Sequence, residues 1–551
     1  MTAPGPQGEA LLDVARAWRD QDPDDVTRAE LDALIEANGP ELADRFAGRL
    51  EFGTAGLRGE LGAGPTRMNR VLVTQAAAGL AAYLLAREPS PSIVIGYDGR
   101  TNSEVFARDT AVIMAGAGVR TTLLPRHLPT PVLAFAVRHF DTSAGVMVTA
   151  SHNPARDNGY KVYLGGLDHG SQIVPPSDGE IAASIALVAR TPITTLPRST
   201  DFIVADDAVV HEYVARTAAI AHAPAPISFV YSAMHGVGWE TARAVFVEAG
   251  LGEPAVVNEQ IEPDAAFPTV AFPNPEEPGA MDLTLAKATE VSADVAIVND
   301  PDADRLAVAI PTGNGWRSLK GNEVGLLLGW RAAERLLRTP QDSGTLAASI
   351  VSSPGLREIA RAYNLGYVDT LTGFKWISRV GGLAFGFEEA LGYLVDPAIV
   401  RDKDGISAAV DFLSLVSELK AAGKTVDDHL ADFAEKFGAY ASAQISLRVD
   451  DLSLIGQLMQ RLRLNPPHAI GSLAVASIDD FIDGFAEFPP GDILRIHLQN
   501  GARVIVRPSG TEPKLKAYID ASSTEGSAAE RIAAAEAVVA ELDRGMRALL
   551  A

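Results

Sequence analysis

Ser151, in the run Thr149 to Asn158, and the alternating aspartates Asp300, Asp302 and Asp304 are the residues whose types and spacing could do chemistry together. Asn153 and Pro154 follow Ser151 and His152, and both favour a tight turn. A serine is a poor nucleophile or phosphate carrier unless its neighbours manage its charge. His152 could donate a hydrogen bond to a phosphate on that oxygen, and Lys161 could add a positive charge. A lone serine of this kind reads as a turn or cap residue; the whole string reads as a phosphoryl carrier.

The run Asp300-Pro301-Asp302-Ala303-Asp304-Arg305 lies between two apolar stretches, Val295–Val298 and Leu306–Ile310. Alternate aspartates in a tight loop can turn three carboxylates toward one point. Such a cluster repels itself unless a cation joins it, and oxygen-only ligands suit Mg²⁺. An EF-hand does not fit, because Arg305 replaces the turn glycine and Pro311 stands at the twelfth position. In an aspartyl-phosphate phosphatase loop Asp300 would be the nucleophile and Asp302 the acid, but a third carboxylate at Asp304 suits a metal cage better.

Two further segments carry polar groups that could bind a substrate. Arg507, Ser509, Gly510, Thr511 and Lys514 lie in a loop between two expected strands. Gly and Ser let successive backbone N–H groups face an anion, and Arg507 offers a bidentate phosphate contact. Glu388 and Glu389 lie in a Gly-flanked loop, where paired carboxylates can accept hydrogen bonds from vicinal sugar hydroxyls. Alone, the first would read as a charged hairpin turn and the second as a surface charge run.

The elements that must position these groups read as α/β. Short β-branched runs alternate with longer helical stretches. Ile93–Ile95 ends at Gly96-Tyr97-Asp98-Gly99-Arg100, Gly145–Val148 at the Ser151 loop, and Val295–Val298 at Asn299-Asp300. Open α/β sheets place their chemistry at such strand ends. Thr27 and Glu30 have capping-box spacing before the stripe Leu31, Leu34 and Ile35, so a helical extension comes first. Near the other end, Ile532, Ala535, Val539, Leu542, Met546 and Leu549 form a helical stripe that should pack on its own sheet, with dimerisation the alternative.

At 551 residues the chain exceeds one ordinary core; at roughly 150 residues per domain it should hold three to four domains. The expected divisions are residues 1–201, 202–321, 322–440 and 441–551. The absence of cysteine excludes disulfides, thiolate metal sites and thiol catalysis, and suits a reducing, cytoplasmic location. The first twenty residues lack the pattern of a secretory signal. The apolar stretch Val71 to Ala86 is short of the ~20 residues of a membrane span and should be a buried helix. A net charge of −23 argues against non-specific nucleic-acid binding, so an anionic substrate must be drawn in by a local basic site.

With these loops in order, the chain resembles the α-D-phosphohexomutase superfamily, most closely its long bacterial phosphoglucomutase/phosphomannomutase branch. The resemblance runs from Phe52-Gly53-Thr54-Ala55-Gly56-Leu57-Arg58-Gly59 through the Arg507 loop. It implies three related α/β domains and a smaller C-terminal α+β domain around a central active-site cleft. Ser151 matches the phosphorylated serine, and Asp300, Asp302 and Asp304 match the Mg²⁺ ligands, with a phosphoserine oxygen completing the site. Glu388 and its neighbours match the sugar loop, with Thr372 and Gly373 also expected to bind substrate. Arg507 to Thr511 match the loop that grips the idle phosphate. Lys403 falls at a candidate acid/base lysine and Arg58 at an active-site arginine, with His152, Lys161 and Arg305 completing the basic surroundings.

The implied reaction is a phosphoryl relay through Ser151 and a hexose 1,6-bisphosphate, with glucose 1,6-bisphosphate as activator and glucose the first choice of sugar. Mannose is the second choice, and pentose-phosphate mutases and sugar-bisphosphate synthases occur in the same branch. The family's sugar loop carries serine after its glutamates, whereas Ala390 stands here. A metal-dependent sugar phosphatase and a non-catalytic phosphosugar-binding protein are the readings from other classes. The expected partner is a small phosphosugar, without nucleic acid or membrane, for a monomer or homodimer.

Overall fold

The computed structural model describes residues 6–338, 343–449, 451, 453–509 and 514–550. They form two compact units, Met1–Leu319 with Gly392–Glu418, and Lys320–Leu391 with Leu419–Ala551.

The first unit opens with α1 (Pro6–Gln21), α2 (Asp25–Ala37) and α3 (Pro40–Phe46). Asp24, not Thr27, caps α2, its side chain accepting from Val26 N at 2.9 Å. Thr27 lies inside the helix and donates to Asp22, while Glu30 takes the backbone N–H of Ala63. The capping-box spacing is therefore misleading: Asp24, immediately before the first helical residue, is the one placed to take an orphan amide.

A 7-stranded sheet follows. Its elements are β1 (Leu57–Glu60), α4 (Arg70–Arg87), β2 (Ser92–Tyr97), α5 (Ser103–Gly116), β3 (Arg120–Leu123), α6 (Thr130–His139), β4 (Ala144–Val148), β5 (Asp157–Leu164), β6 (Ser171–Gln172), α7 (Ser177–Val188) and β7 (Ile203–Val204). The strand order is β1-β5-β4-β2-β3-β7, with β6 on β5. β2 and β4 are buried throughout, as expected of parallel strands covered on both faces. α4 is the apolar stretch singled out in the sequence; it is a core helix, and among the described residues no helix is long and apolar enough to cross a membrane. This sheet runs on through β7, past Asp201.

A second sheet is built from β8 (Phe229–Ser232), β9 (Ala255–Val256), β10 (Val295–Asn299), β11 (Leu306–Thr312) and β12 (Gly315–Ser318), in the order β12-β11-β10-β8-β9. β10 runs parallel to β8 and antiparallel to β11, so the Asp300 loop is the tight turn of a β10–β11 hairpin.

In the second unit the strands Gly366–Thr370, Thr345–Ser349 and Leu383–Glu388 pair in parallel. An antiparallel 6-stranded sheet follows, and the Arg507 segment ends its strand Arg503–Pro508. The last helix, Ala528–Leu550, buries Val539, Leu542 and Met546 against that sheet, the packing expected of its stripe.

Candidate active site

The chain leaves β4 through Thr149 and Ala150 and turns at Ser151, whose φ is 51°. That left-handed backbone is uncommon outside glycine and must be held by its surroundings. Thr149 Oγ1 accepts from Ser151 N at 2.8 Å, and Asn153 N donates to Ala150 O at 3.0 Å. Ser151 is only 3% exposed. Its Oγ donates to Asp300 Oδ2 at 3.0 Å and lies 3.1 Å from His152 Nδ1. With the hydroxyl proton turned to Asp300, the Nδ1–H of His152 is the group left to donate to Oγ. Burial, with Arg305 and Arg58 nearby, pushes His152 well below its ordinary range and keeps the ring neutral.

The aspartate loop delivers its carboxylates as the sequence suggests. Ala303 sits at φ 56° and donates its N–H to Asp300 O at 2.8 Å, closing the turn. Asp300, Asp302 and Asp304 are fully buried, and one oxygen from each lies within 4.8 Å of the others. Lys161 Nζ, reaching from β5, bonds Asp302 Oδ2 at 2.7 Å and Asp304 Oδ2 at 2.9 Å. Lys403 Nζ lies 3.1 Å from Asp304 Oδ2. The second oxygens, Asp302 Oδ1 and Asp304 Oδ1, are buried with no hydrogen-bond partner.

The electrostatics divide these carboxylates. Burial and Asp304 push Asp302 up, but Lys161 and Thr130 outweigh them and hold it below its usual value. Lys161, Lys403 and Arg305 likewise overcome the burial of Asp304 and hold it below the carboxylate range. Asp300 goes the other way, pushed well up by burial and by its two aspartate neighbours. Burial pulls Lys161 down, yet Asp302 and Asp304 prevail and keep its ammonium charged. Two orphaned oxygens and one under-compensated carboxyl, all hard oxygen donors, fit a divalent cation such as Mg²⁺.

Neighbouring elements hold this loop tightly. Thr130, at the start of α6, gives its N–H to Asp302 O at 2.9 Å and its hydroxyl to Asp302 Oδ2 at 2.6 Å. Val237 N donates to Pro301 O at 2.9 Å, and a Cβ on Gly236 would lie 2.3 Å from Pro301 Cα and O. Asp402 accepts from Tyr163 and Gln172, and Asp404 caps the helix Gly405–Ala421 through Ile406 and Ser407 N–H. Gly405 lies so close to Arg305 that a Cβ would be 2.2 Å from Arg305 O. Arg58, on β1, is half-buried and feels the charges of Asp302, Asp304 and Arg305, and its Nε has no hydrogen-bond partner. Ser151, His152, Lys161, the three aspartates, Arg305, Lys403 and Arg58 thus belong to one cluster.

In the second unit Glu388 ends its strand and accepts from Gly373 N at 2.5 Å. Gly373, at φ 116°, occupies backbone space that disfavours any side chain. Thr372 precedes it in the same half-buried bend. Glu389 Oε2 accepts from Ser352 Oγ at 3.0 Å and Ser349 Oγ at 3.3 Å, so it is anchored inward. Arg507 bonds the hydroxyl of Tyr518 on the adjacent strand. Ser509 N donates to Lys514 O at 2.7 Å. Gly510 and Thr511, with Glu512 and Pro513, lie outside the described residues.

Nothing in the sequence signals Thr130 or Gly236; Asp402 stands out only as part of the charged run Arg401-Asp402-Lys403-Asp404-Gly405, and Arg100 only as a polar residue at a strand end. Thr130, Asp402 and Arg100 act through backbone atoms or through other side chains, and Gly236 acts by lacking a side chain; no residue type advertises such roles.

Residues 49–189, 211–313 and 320–437 match the descriptions "Phosphoglucomutase/phosphomannomutase, alpha/beta/alpha domain" I, II and III, and residues 454–538 match the C-terminal domain of the same series. A Haemophilus influenzae protein named "Probable phosphomannomutase" is 57% identical over 88% of this chain and 98% of its own length. Human phosphopentomutase is 34% identical over 96% of this chain and 94% of its own. A Burkholderia thailandensis structure, titled as a phosphoglucomutase/phosphomannomutase family protein, covers 90% of this chain and 97% of its own with a TM-score of 0.68 at 20% identity, a likeness of fold.

Proposed function

Because this chain belongs to the phosphoglucomutase/phosphomannomutase family of the α-D-phosphohexomutases, with three α/β domains and a C-terminal domain, we propose that it interconverts a hexose 1-phosphate and its 6-phosphate through a phosphoryl group carried on Ser151. Glucose is the proposed hexose. The observation that carries the relay is the Ser151–Asp300 contact, which joins a hydroxyl to a buried, oxygen-only cation site.

In the proposed cycle, a sugar hydroxyl attacks the phosphoryl group on Ser151. The new P–O bond forms as the bond to Ser151 Oγ breaks, and the hydroxyl proton passes to a base. His152, held neutral, and Lys403 are the candidates. The product is a hexose 1,6-bisphosphate, which turns over and returns its other phosphoryl group to Ser151. Mg²⁺, held by Asp300, Asp302, Asp304 and an oxygen on Ser151, would offset negative charge on the transferring group. Lys161 holds Asp302 and Asp304 by their Oδ2 atoms, which leaves their Oδ1 atoms free for that ion. In the second unit Glu388, Glu389, Thr372 and Gly373 are assigned to the sugar, and Arg507, Ser509 and Lys514, with Gly510 and Thr511, to the idle phosphate.

A second reading concerns only the sugar. The relatives named for mannose and pentose phosphates span nearly the whole chain, so mannose and ribose phosphates are the competing substrates. The test is turnover of glucose 1-phosphate with Mg²⁺ and trace glucose 1,6-bisphosphate, following glucose 6-phosphate and free phosphate together, with mannose and ribose 1-phosphates in parallel. Glucose 6-phosphate without phosphate release supports the proposal. Faster mannose or ribose turnover reassigns the substrate, and phosphate release alone makes the protein a phosphatase.

A further inference from the structure

Arg100 touches the Ser151 turn from behind, and the relay described above gives it no part. It follows β2 and is 4% exposed. Its Nη1 donates to Pro154 O at 2.8 Å and Asp157 O at 3.1 Å. Its Nη2 donates to Ser151 O and Asn153 O, both at 2.6 Å. Nε lies 3.6 Å from Asp98 Oδ2, and the guanidinium stacks 4.9 Å from the centre of the Phe267 ring. One buried cation therefore gathers backbone carbonyls from the whole length of the turn.

Carbonyl dipoles converging on one point repel each other, and a planar guanidinium fork is the side chain best shaped to satisfy several of them at once. The arrangement has a local purpose. A non-glycine residue in the left-handed region is strained and persists only where the surroundings over-determine it. Ser151 is such a residue, and its C=O and N–H are each tied, one directly and one through Thr149, to the Arg100–Asp98 pair. Arg100 holds its C=O directly, while Thr149, itself bonded to Asp98, accepts its N–H. Asp98 in turn accepts the backbone N–H of Arg100 at 3.0 Å and the hydroxyl of Ser103 at 2.6 Å.

We propose that Arg100 is a positioning residue for phosphoryl transfer at Ser151: its guanidinium fixes the left-handed Ser151 backbone that aims Oγ at Asp300. This inference rests on the reading of Ser151 as the phosphoryl carrier. Arg100 bonds only main-chain atoms of the turn, so it serves the rate of transfer and not the grip on the sugar.

The test compares wild type, Arg100→Lys and Arg100→Ala. Each is exposed to glucose 1,6-bisphosphate with Mg²⁺, and the rate of Ser151 phosphorylation is followed by intact mass and peptide mapping. The kcat and KM for glucose 1-phosphate and the melting temperature are measured alongside. A displaced nucleophile costs on the order of 10²-fold, the loss expected in both the phosphorylation rate and kcat of Arg100→Ala, with KM nearly unchanged. Arg100→Lys keeps the charge but not the fork, so it should lose at least about 10-fold in both rates while melting close to wild type. If Arg100→Ala does not fold, Arg100→Lys decides alone. A lysine variant with wild-type phosphorylation rate and kcat, or one that changes KM only, overturns the proposal. Wild-type protein phosphorylated elsewhere than Ser151 overturns the carrier reading itself, and the role of Arg100 with it.

Discussion

Ser151 Oγ donates a 3.0 Å hydrogen bond to Asp300 Oδ2, although 149 residues separate the two in sequence. The bond joins the end of β4 to the end of β10, so two separate sheets meet at one hydroxyl and one carboxyl. Asp300 is also the carboxyl with the least compensation, pushed well up by burial, Asp302 and Asp304. A phosphoryl group on Ser151 and a cation beside Asp300 would therefore be immediate neighbours.

Ser151→Ala should lower mutase turnover by at least about 10³-fold, the scale of losing a nucleophile. The fold should survive, because the substitution removes only the hydroxyl's bonds to Asp300 and His152 and no packing volume of consequence. Turnover assays paired with a thermal melt check this; ordinary activity in a well-folded variant would remove Ser151 from the mechanism.

The orphaned Oδ1 atoms of Asp302 and Asp304 should be the cation's. A chelator should abolish activity and Mg²⁺ restore it. Thr130→Val removes the hydroxyl that orients Asp302 and leaves every proposed ligand in place. It should raise the Mg²⁺ concentration for half-maximal activity by about 10–100-fold, the usual effect of losing an outer partner of a metal ligand. An unchanged Mg²⁺ titration would mean Asp302 does not meet the ion.

Gly236→Ala should displace the aspartate loop without touching any charged group. The added Cβ would fall 2.3 Å from backbone atoms of Pro301, which cannot yield as a flexible side chain could. Stability should fall by about 1–3 kcal/mol, as overpacking typically costs, and Mg²⁺ should bind more weakly. Melting curves with and without Mg²⁺ measure both effects; wild-type behaviour in both would show the contact to be slack.

Asp404 gives a pH test away from the proposed ligands. Burial pushes its carboxyl up to about 6 despite bonds from Ser407, Tyr213 and Ile406. The unfolded value is about 3.9, so the folded chain holds this proton to higher pH than the unfolded chain. The associated stability is complete below about pH 4 and is lost as pH rises through 6, a change of about 3 kcal/mol. Asp404→Asn cannot titrate, so the stability difference between variant and wild type should shift in the variant's favour by that amount from pH 4 to pH 7. Denaturant unfolding across this range measures it, and parallel pH profiles would contradict it.

Arg507→Ala should raise KM for the sugar phosphate at least about 10-fold with a smaller change in kcat, because a grip on an idle phosphate is shared by ground and transition states. Steady-state kinetics separate the two. A fall in kcat alone would place Arg507 at the reacting phosphate instead.

The strand ends and the aspartate hairpin were legible because their side chains speak for themselves: apolar runs predict β4 and β10, and alternate carboxylates have few uses in a buried turn. The terminal helix followed from spacing alone, since Val539, Leu542 and Met546 repeat at helical intervals and meet a sheet. What stayed hidden acts through geometry. Thr27 and Glu30 carried the right spacing for a cap, but Asp24 was nearer the free amides. Thr130 and Arg100 meet their partners across long sequence separations, and Gly236 matters for the atom it lacks.

The most direct measurement of the relay is the fate of the phosphoryl group on Ser151. Protein charged on Ser151 with isotopically labelled phosphate from glucose 1,6-bisphosphate and freed of excess ligand would be mixed with one equivalent of unlabelled glucose 1-phosphate, and the label followed on the Ser151 peptide and on the sugars. The expected result is rapid transfer from Ser151 to sugar, yielding glucose 1,6-bisphosphate and glucose 6-phosphate with no free phosphate. Label that stays wholly on Ser151 while unlabelled glucose 6-phosphate accumulates, or that leaves only to water, would contradict the relay.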